Sequence, residues 1–322
     1  MRHASWAILA MLCSGTALNA ATWRLNDDQE WQPVASEPRE EYLHAIAALK
    51  DLARSGDAKA VKAALAQLED EFPQYVGPDL ALFIQGEVQY WKDHYVKAMA
   101  KYEKLLKDSP ASEFAPPAME REFEIGQAYL EGRKRTLLGI IRISGQAEGI
   151  EIMERLTDRD GLEEPNGIGL RAAIAVAENY EARGQYLEAY LKWSEIASYW
   201  ETGLIGKRAL LQMAENNLAA YNVHPPQKRP RFDASKLTTA RTYYEKFLVR
   251  YPEDARRLEV PEKIAQIDEQ MAYKQLTIGQ YYWRVGKTQA ADFYFEQVVR
   301  NWPSTAAAAT AREILQEGVD GE

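Results

Sequence analysis

The segment Gly167-Ile-Gly169-Leu-Arg-Ala172 has the spacing of a dinucleotide-binding turn, in which glycines let the backbone close on a pyrophosphate at a helix N-terminus. That chemistry needs a strand directly before the glycines. The residues from Asp158 to Pro165, rich in acids and closed by a proline, cannot supply one. The four histidines, His3, His44, His94 and His224, are scattered, none at metal-ligand spacing from another. No Ser-His-Asp or Cys-His arrangement is suggested. Acid pairs such as Asp27-Asp28 and Glu163-Glu164 lie in polar stretches, where they start helices or sit in solvent. The expectation is a chain with no catalytic residue, no metal site and no cofactor.

What must position any functional side chain is a set of helix pairs that share one ruler. A small or aliphatic residue is followed twelve positions later by a helix-stopping proline: Val61 to Pro73, Ala98 to Pro110, Ala240 to Pro252 and Ala291 to Pro303. Ala189 keeps the register to Glu201, where the chain breaks at Thr202-Gly203. Five residues before four of these small positions stands a turn residue, Gly56, Asp93, Gly184 or Gly286. Further upstream a glycine or alanine precedes an aromatic, as in Gly126-Tyr129, Ala177-Tyr180 and Gly279-Tyr282. This is the tetratricopeptide (TPR) pattern of roughly 34 residues, in which small residues let helices A and B approach closely. The predicted fold is all-α, a right-handed TPR superhelix in which each repeat buries its apolar face on its neighbours.

Such a stack binds through the face lined by its A helices. The count along helix A puts Phe83, Glu87, Tyr90 and Trp91 of the second repeat and Phe123 of the third on that face, as a groove for a peptide partner. Repeat four presents Arg171, Ile174, Glu178 and Glu181 there. In the last repeat Trp283 and Arg284 face outward, with Tyr273 earlier on the same helix, as a docking surface for a second protein.

The chain has 322 residues, 46% hydrophobic and 27% charged, enough for a sizeable core. Its 39 basic residues against 48 acidic ones give a formal charge of −9, which argues against nucleic acid as a partner. Residues 1–20 read as a cleavable secretory signal, with Arg2 and His3 before the apolar run Trp6 to Leu12 and small residues ahead of Ala20. The run is too short to span a bilayer. Cys13, the one cysteine, follows Leu12 where a lipobox needs a small residue, so no lipid anchor is expected. A soluble or peripheral protein without disulfides follows.

The expected organisation is the signal at 1–20, an extended arm at 21–39, N-terminal repeats at 40–161, C-terminal repeats with a capping helix at 162–316, and an acidic tail at 317–322. An insertion at 132–145 enlarges the third repeat, and a loop with three prolines, 222–231, interrupts the fifth. Both interruptions are basic, through Arg133, Lys134, Arg135 and Arg142 in one and Lys228, Arg229 and Arg231 in the other. The aliphatic residues Leu137, Leu138, Ile140 and Ile141 suggest that the first packs on the solenoid.

Three segments resemble the C-terminal half of the BamD (YfiO/ComL) family of outer-membrane assembly factors: Tyr243 to Pro252, Ile278 to Gly286, and Ala290 to Thr305. Glu120 to Arg135, followed by Ile150-Glu-Ile-Met-Glu154, looks like a variant of that family's third repeat. The resemblance implies a periplasmic scaffold at the inner face of the outer membrane. It would dock on the periplasmic domains of the barrel-inserting protein and receive unfolded outer-membrane protein segments. A periplasmic TPR adaptor coordinating cell-wall enzymes is the alternative. Two features depart from the family: the missing lipobox, and Gln270-Met-Ala-Tyr-Lys-Gln275, where amides replace the charges of the family's Arg-Leu-Ala-x-x-Glu pattern.

Overall fold

The protein is described by a computed structural model that covers residues 23–25, 31–33, 38–137 and 141–320. The predicted signal, its cleavage point, Cys13 and Leu138 to Ile140 lie outside the described residues. Two compact units divide the chain, Met1–Ala115 and Pro116–Glu322. The expected division of repeats at 161/162 falls inside the second.

The first unit opens with β1 (Trp23–Leu25) and β2 (Trp31–Pro33), paired antiparallel with Arg24 opposite Gln32. The stretch expected as an extended arm therefore contains a short hairpin. Two helix pairs follow, α1 (Pro38–Arg54) with α2 (Ala58–Glu71), and α3 (Pro78–Trp91) with α4 (Tyr95–Asp108). Asp57 caps α2 by accepting hydrogen bonds from the Lys59 and Ala60 amides, both at 3.0 Å. Pro78 at the first turn of α3 forgoes an amide that would be unpaired there anyway.

The second unit continues with α5 (Ala115–Leu130), β3 (Lys134–Leu137), β4 (Ile141–Ser144) and α6 (Gln146–Asp160). After these come α7 (Ile168–Ala182), α8 (Tyr186–Tyr199), α9 (Gly203–Asn222) and α10 (Ser235–Arg250). A short α11 (Pro252–Arg257) leads into the long α12 (Val260–Arg284), then α13 (Thr288–Asn301) and the capping α14 (Ala306–Asp320). The insertion at 132–145 is thus a β-hairpin, with Thr136 opposite Arg142, rather than a loop.

The ruler has a direct structural basis. Helices α2, α4, α10 and α13 each end two residues before their proline, because the residue before proline is pushed out of the α region. The turn residues Gly56, Asp93, Gly184 and Gly286 all take positive φ, between 60° and 72°, a tight reversal that costs glycine least. The small residues Ala98, Ala189, Ala240 and Ala291 are fully buried. A second beat accompanies the first: an A-helix glycine or alanine lies sixteen positions before a buried B-helix aromatic, as in Gly86 with Tyr102, Ala177 with Trp193, and Gly279 with Phe295. A Cβ on Gly279 would stand 2.6 Å from the Phe295 ring, so the aromatic fills the space the small residue vacates.

Candidate functional site

In the first unit the expected groove aromatics separate into two groups. Phe83 is 3% exposed and stacks on Phe114 at 5.5 Å between ring centroids, with Tyr102 on another side at 6.1 Å. The Lys50 ammonium sits 5.3 Å from its ring. Glu87 is also buried and accepts a 2.7 Å hydrogen bond from the Tyr102 hydroxyl. Both are core residues, contrary to the groove expectation: Phe114, far along the chain, closes over Phe83, and Tyr102 of α4 takes up the Glu87 carboxylate. Tyr90 is half-buried, stacked on Tyr95 and in edge contact with Trp91. Trp91 is 42% exposed, with the Arg54 guanidinium 5.7 Å from its ring.

In the second unit Phe123 is buried beneath Arg171, whose guanidinium lies 4.4 Å from the ring. Arg171 reaches from α7 to α5 and donates to both Glu120 oxygens, at 2.9 and 2.8 Å. These bonds raise its pKa further above the usual arginine value. The same three-part rung recurs along the stack. Arg208 on α9 pairs with Glu178 on α7 while lying over Trp193, and Lys263 on α12 pairs with Glu215 on α9 while lying over Tyr244. Arg241 on α10 adds a bond to Asp268 on α12 at 2.7 Å. The A-helix face of this unit is therefore a ladder of acid, cation and aromatic, in which Arg171 covers Phe123 and pairs with Glu120, and Glu178 pairs with Arg208. Each rung is partly exposed, so it fixes helix register more than it adds stability.

The docking residues proposed for the last repeat are open. Tyr273 is 48% exposed and Trp283 54% exposed, and Arg284 is exposed with its Nε donating to the Gln280 carbonyl. Tyr281, Val285 and Phe293 near the α12–α13 turn are exposed to similar degrees, and the sequence reading passed over them. Their signal was available: Phe293 sits two residues after the small Ala291, a position that points away from the core helix. The amide oxygens of Gln270 and Gln275 are shielded from solvent and accept no hydrogen bond among the described residues.

The proline-containing loop before α10 is held rather than free. Lys274 on α12 donates to the carbonyls of Pro230 at 2.8 Å and Phe232 at 2.7 Å. Arg229 turns inward to the His224 and Asn222 carbonyls, and the Tyr221 hydroxyl donates to the Arg229 carbonyl. A single 3₁₀ turn forms at Arg229–Arg231. The dinucleotide-like segment opens α7, and the Gly169 amide there is already paired at 2.9 Å with the Asp160 carboxylate. An internal anion thus stands where a phosphate would.

Residues 80–112 match the tetratricopeptide repeat family, over α3 and α4. The chain is an all-α TPR solenoid. Residues 211–319 match the family described as YfiO, outer membrane lipoprotein, so the region from α9 to α14 is similar to those proteins. No curated protein matches the chain. Among solved structures it is similar to PilW, a widely conserved type IV pilus biogenesis factor, at 16% identity over 84% of this chain and 98% of that one, with a TM-score of 0.29. It is also similar to the C-terminal part of a TPR repeat-containing protein from Cytophaga hutchinsonii, at 15% identity over 85% of this chain and 95% of that one, with a TM-score of 0.33. Among the described residues no helix is long and apolar enough to cross a membrane, and no cluster of His, Cys, Asp or Glu could hold a metal ion.

Proposed function

We propose that this chain is a non-catalytic periplasmic scaffold of the outer-membrane β-barrel assembly machinery, which docks on the barrel-inserting protein and receives unfolded barrel precursors. The observation that carries the reading is a coincidence of place. The region similar to outer membrane lipoproteins, 211–319, contains the exposed residues Tyr273, Trp283, Arg284 and Phe293. An aromatic and arginine surface of this kind is what protein interfaces use as anchors. In the first unit Tyr90 and Trp91 remain as the contacts for an extended apolar and aromatic precursor strand.

The test is titration against the purified periplasmic domains of a barrel-inserting protein. Trp283→Ala with Arg284→Glu should weaken binding by at least about tenfold, since each anchor at such a surface contributes roughly 1–2 kcal/mol, while the circular dichroism stays unchanged. Wild-type affinity in the folded double variant would remove the docking assignment. In a second arm, Tyr90→Ala with Trp91→Ala should lower affinity for a peptide carrying a C-terminal barrel strand and leave docking intact. Unchanged peptide affinity would remove the capture assignment alone.

A further inference from the structure

The first unit contains an open groove of about 720 Å³ between α2, α3 and α4. Its floor is Val61, Ile84 and Val88, and its walls include Leu65 and Ala66 on α2 and Ala100 on α4. The ruler explains why it exists. Four positions after the small residue, the other B helices carry Tyr102, Trp193, Tyr244 and Phe295, all fully buried, whereas α2 carries only the half-buried Leu65. Three positions before it, α4 and α8 have Tyr95 and Tyr186, and α2 has Ala58. Eight positions after it, Leu106, Leu248 and Val299 are replaced on α2 by Glu69. The first repeat therefore lacks the side chains that fill the corresponding space elsewhere, and the apolar surface stays open.

Charge says what can cover it. The chain as a whole is acidic, with a formal charge of −9, yet Lys62, Lys97 and Lys101 border this groove against the single carboxylate of Glu69. None of the three lysines forms an ion pair with a described residue. The alanines on both walls let an incoming backbone approach closely, and helices of 14 residues run about 21 Å on either side. We propose that this groove is the docking site for an amphipathic helix of a partner protein whose apolar stripe is flanked by Asp and Glu. Its apolar side chains at i, i+3, i+4 and i+7 meet Leu65 and the exposed Ala58, Ala66 and Ala100 above the buried floor, and its carboxylates meet the three lysines. A single acyl chain fits less well, because lipid and small-molecule sites enclose most of their ligand and this groove is half open to solvent. The inference stands independently of the assembly role, since it concerns neither α12 nor the Tyr90 and Trp91 pair.

The experiment uses the full chain and a fluorescein-labelled helical peptide with leucines at the stripe positions and glutamates beside them. A second peptide has lysines in place of the glutamates. Anisotropy titration should show the acidic peptide binding, with affinity falling as salt is raised, and the lysine peptide binding about tenfold more weakly. Lys97→Glu with Lys101→Glu should reverse that preference. Ala100→Trp should block the acidic peptide with circular dichroism unchanged, and Ala66→Trp, from the opposite wall, serves if the first variant does not fold. The Trp283→Ala, Arg284→Glu variant should bind the peptide as wild type does, which separates this site from the docking surface. Equal binding of both peptides, or affinity unchanged by the lysine reversals, would overturn the proposal. So would a groove that takes the fluorescent fatty acid cis-parinaric acid, displaced by Ala100→Trp, while refusing the acidic peptide.

Discussion

Gly279 shows how one missing side chain can hold two helices together. Its α-carbon faces the Phe295 ring, and Phe295, Ala291 and Val298 share a core cluster with Ala308 and Ala311 of the capping helix. A valine at 279 must push the ring or part the helices. Gly279→Val is expected to destabilise the second unit by roughly 1–3 kcal/mol, the usual cost of overpacking a filled core. Urea unfolding followed by circular dichroism measures it, and an unchanged midpoint would show that the ring has room to turn. This pair was legible in the sequence, because a glycine sixteen residues before an aromatic repeats along the chain. The burial of Phe83 and Glu87 was not. Helical spacing tells which residues share a face, but not that Tyr102 of the next helix engages Glu87, and Phe114, which covers Phe83, comes from a segment between helices with no period to announce it. Arg171 was expected to face a groove, and instead lies on Phe123 while bonded to a glutamate 51 residues before it.

Between helices, the two interruptions of the repeat pattern turn out to be differently built. The hairpin of β3 and β4 lies between Gly132, with φ of 108°, and Gly145, where a Cβ would collide with the Arg133 carbonyl. Its sequence signal was present in the β-branched residues Ile141 and Ile143 and the flanking glycines, but four basic residues in so short a stretch are equally at home in a solvated insertion. In the other interruption the prolines correctly excluded a regular helix. The anchor, Lys274, lies more than forty residues along the chain and could not be inferred from local composition. Its ammonium holds two carbonyls at once, and charged donors of this kind contribute about 1.5–3 kcal/mol where water is kept away, less here at a partly exposed site. Lys274→Met keeps the apolar stem and removes both bonds. Trypsin should then cut at Lys228 and Arg231 several-fold faster than in the wild type, with little change in the global melting temperature. Equal cleavage rates would show that Arg229 and Tyr221 hold the loop by themselves.

At the scale of the molecule, titration follows from which charges the fold protects. Burial pushes the Tyr42 hydroxyl, which donates to the Tyr75 carbonyl at 3.0 Å, up to about 12 from the ordinary 10.0. Burial first, then the hydrogen bond with Tyr190, raises Tyr243 to about 12, and burial raises Tyr244 as well. Lys192 is also raised, because bonds to Glu154 and Glu195 outweigh the burial that opposes its charge. For each of these groups the folded state holds its proton more tightly than the unfolded chain. Their contribution is therefore complete below the ordinary pKa and is lost as pH climbs through the folded one. Asp254 runs the other way: hydrogen bonds from Lys207 and Arg257 lower its pKa below 3.8, so what it contributes is present above that value and lost on acidification. Tyr42 and Tyr244 are buried whereas Asp254 is only half-buried, so the alkaline limb should be the steeper, with stability falling between pH 10.0 and about 12. Phenols exposed at the surface should ionise first, and the last part of the tyrosinate absorbance rise should coincide with the loss of circular dichroism, because the buried phenols ionise only as the chain opens. Tyr42→Phe isolates one contributor. The variant loses a hydrogen bond of about 1 kcal/mol at neutral pH but has no phenol to ionise, so the stability gap between it and the wild type should narrow above pH 10.0. A constant gap across the alkaline limb would mean that Tyr42 ionises as readily in the fold as in the open chain, and that its burial does not guard the proton.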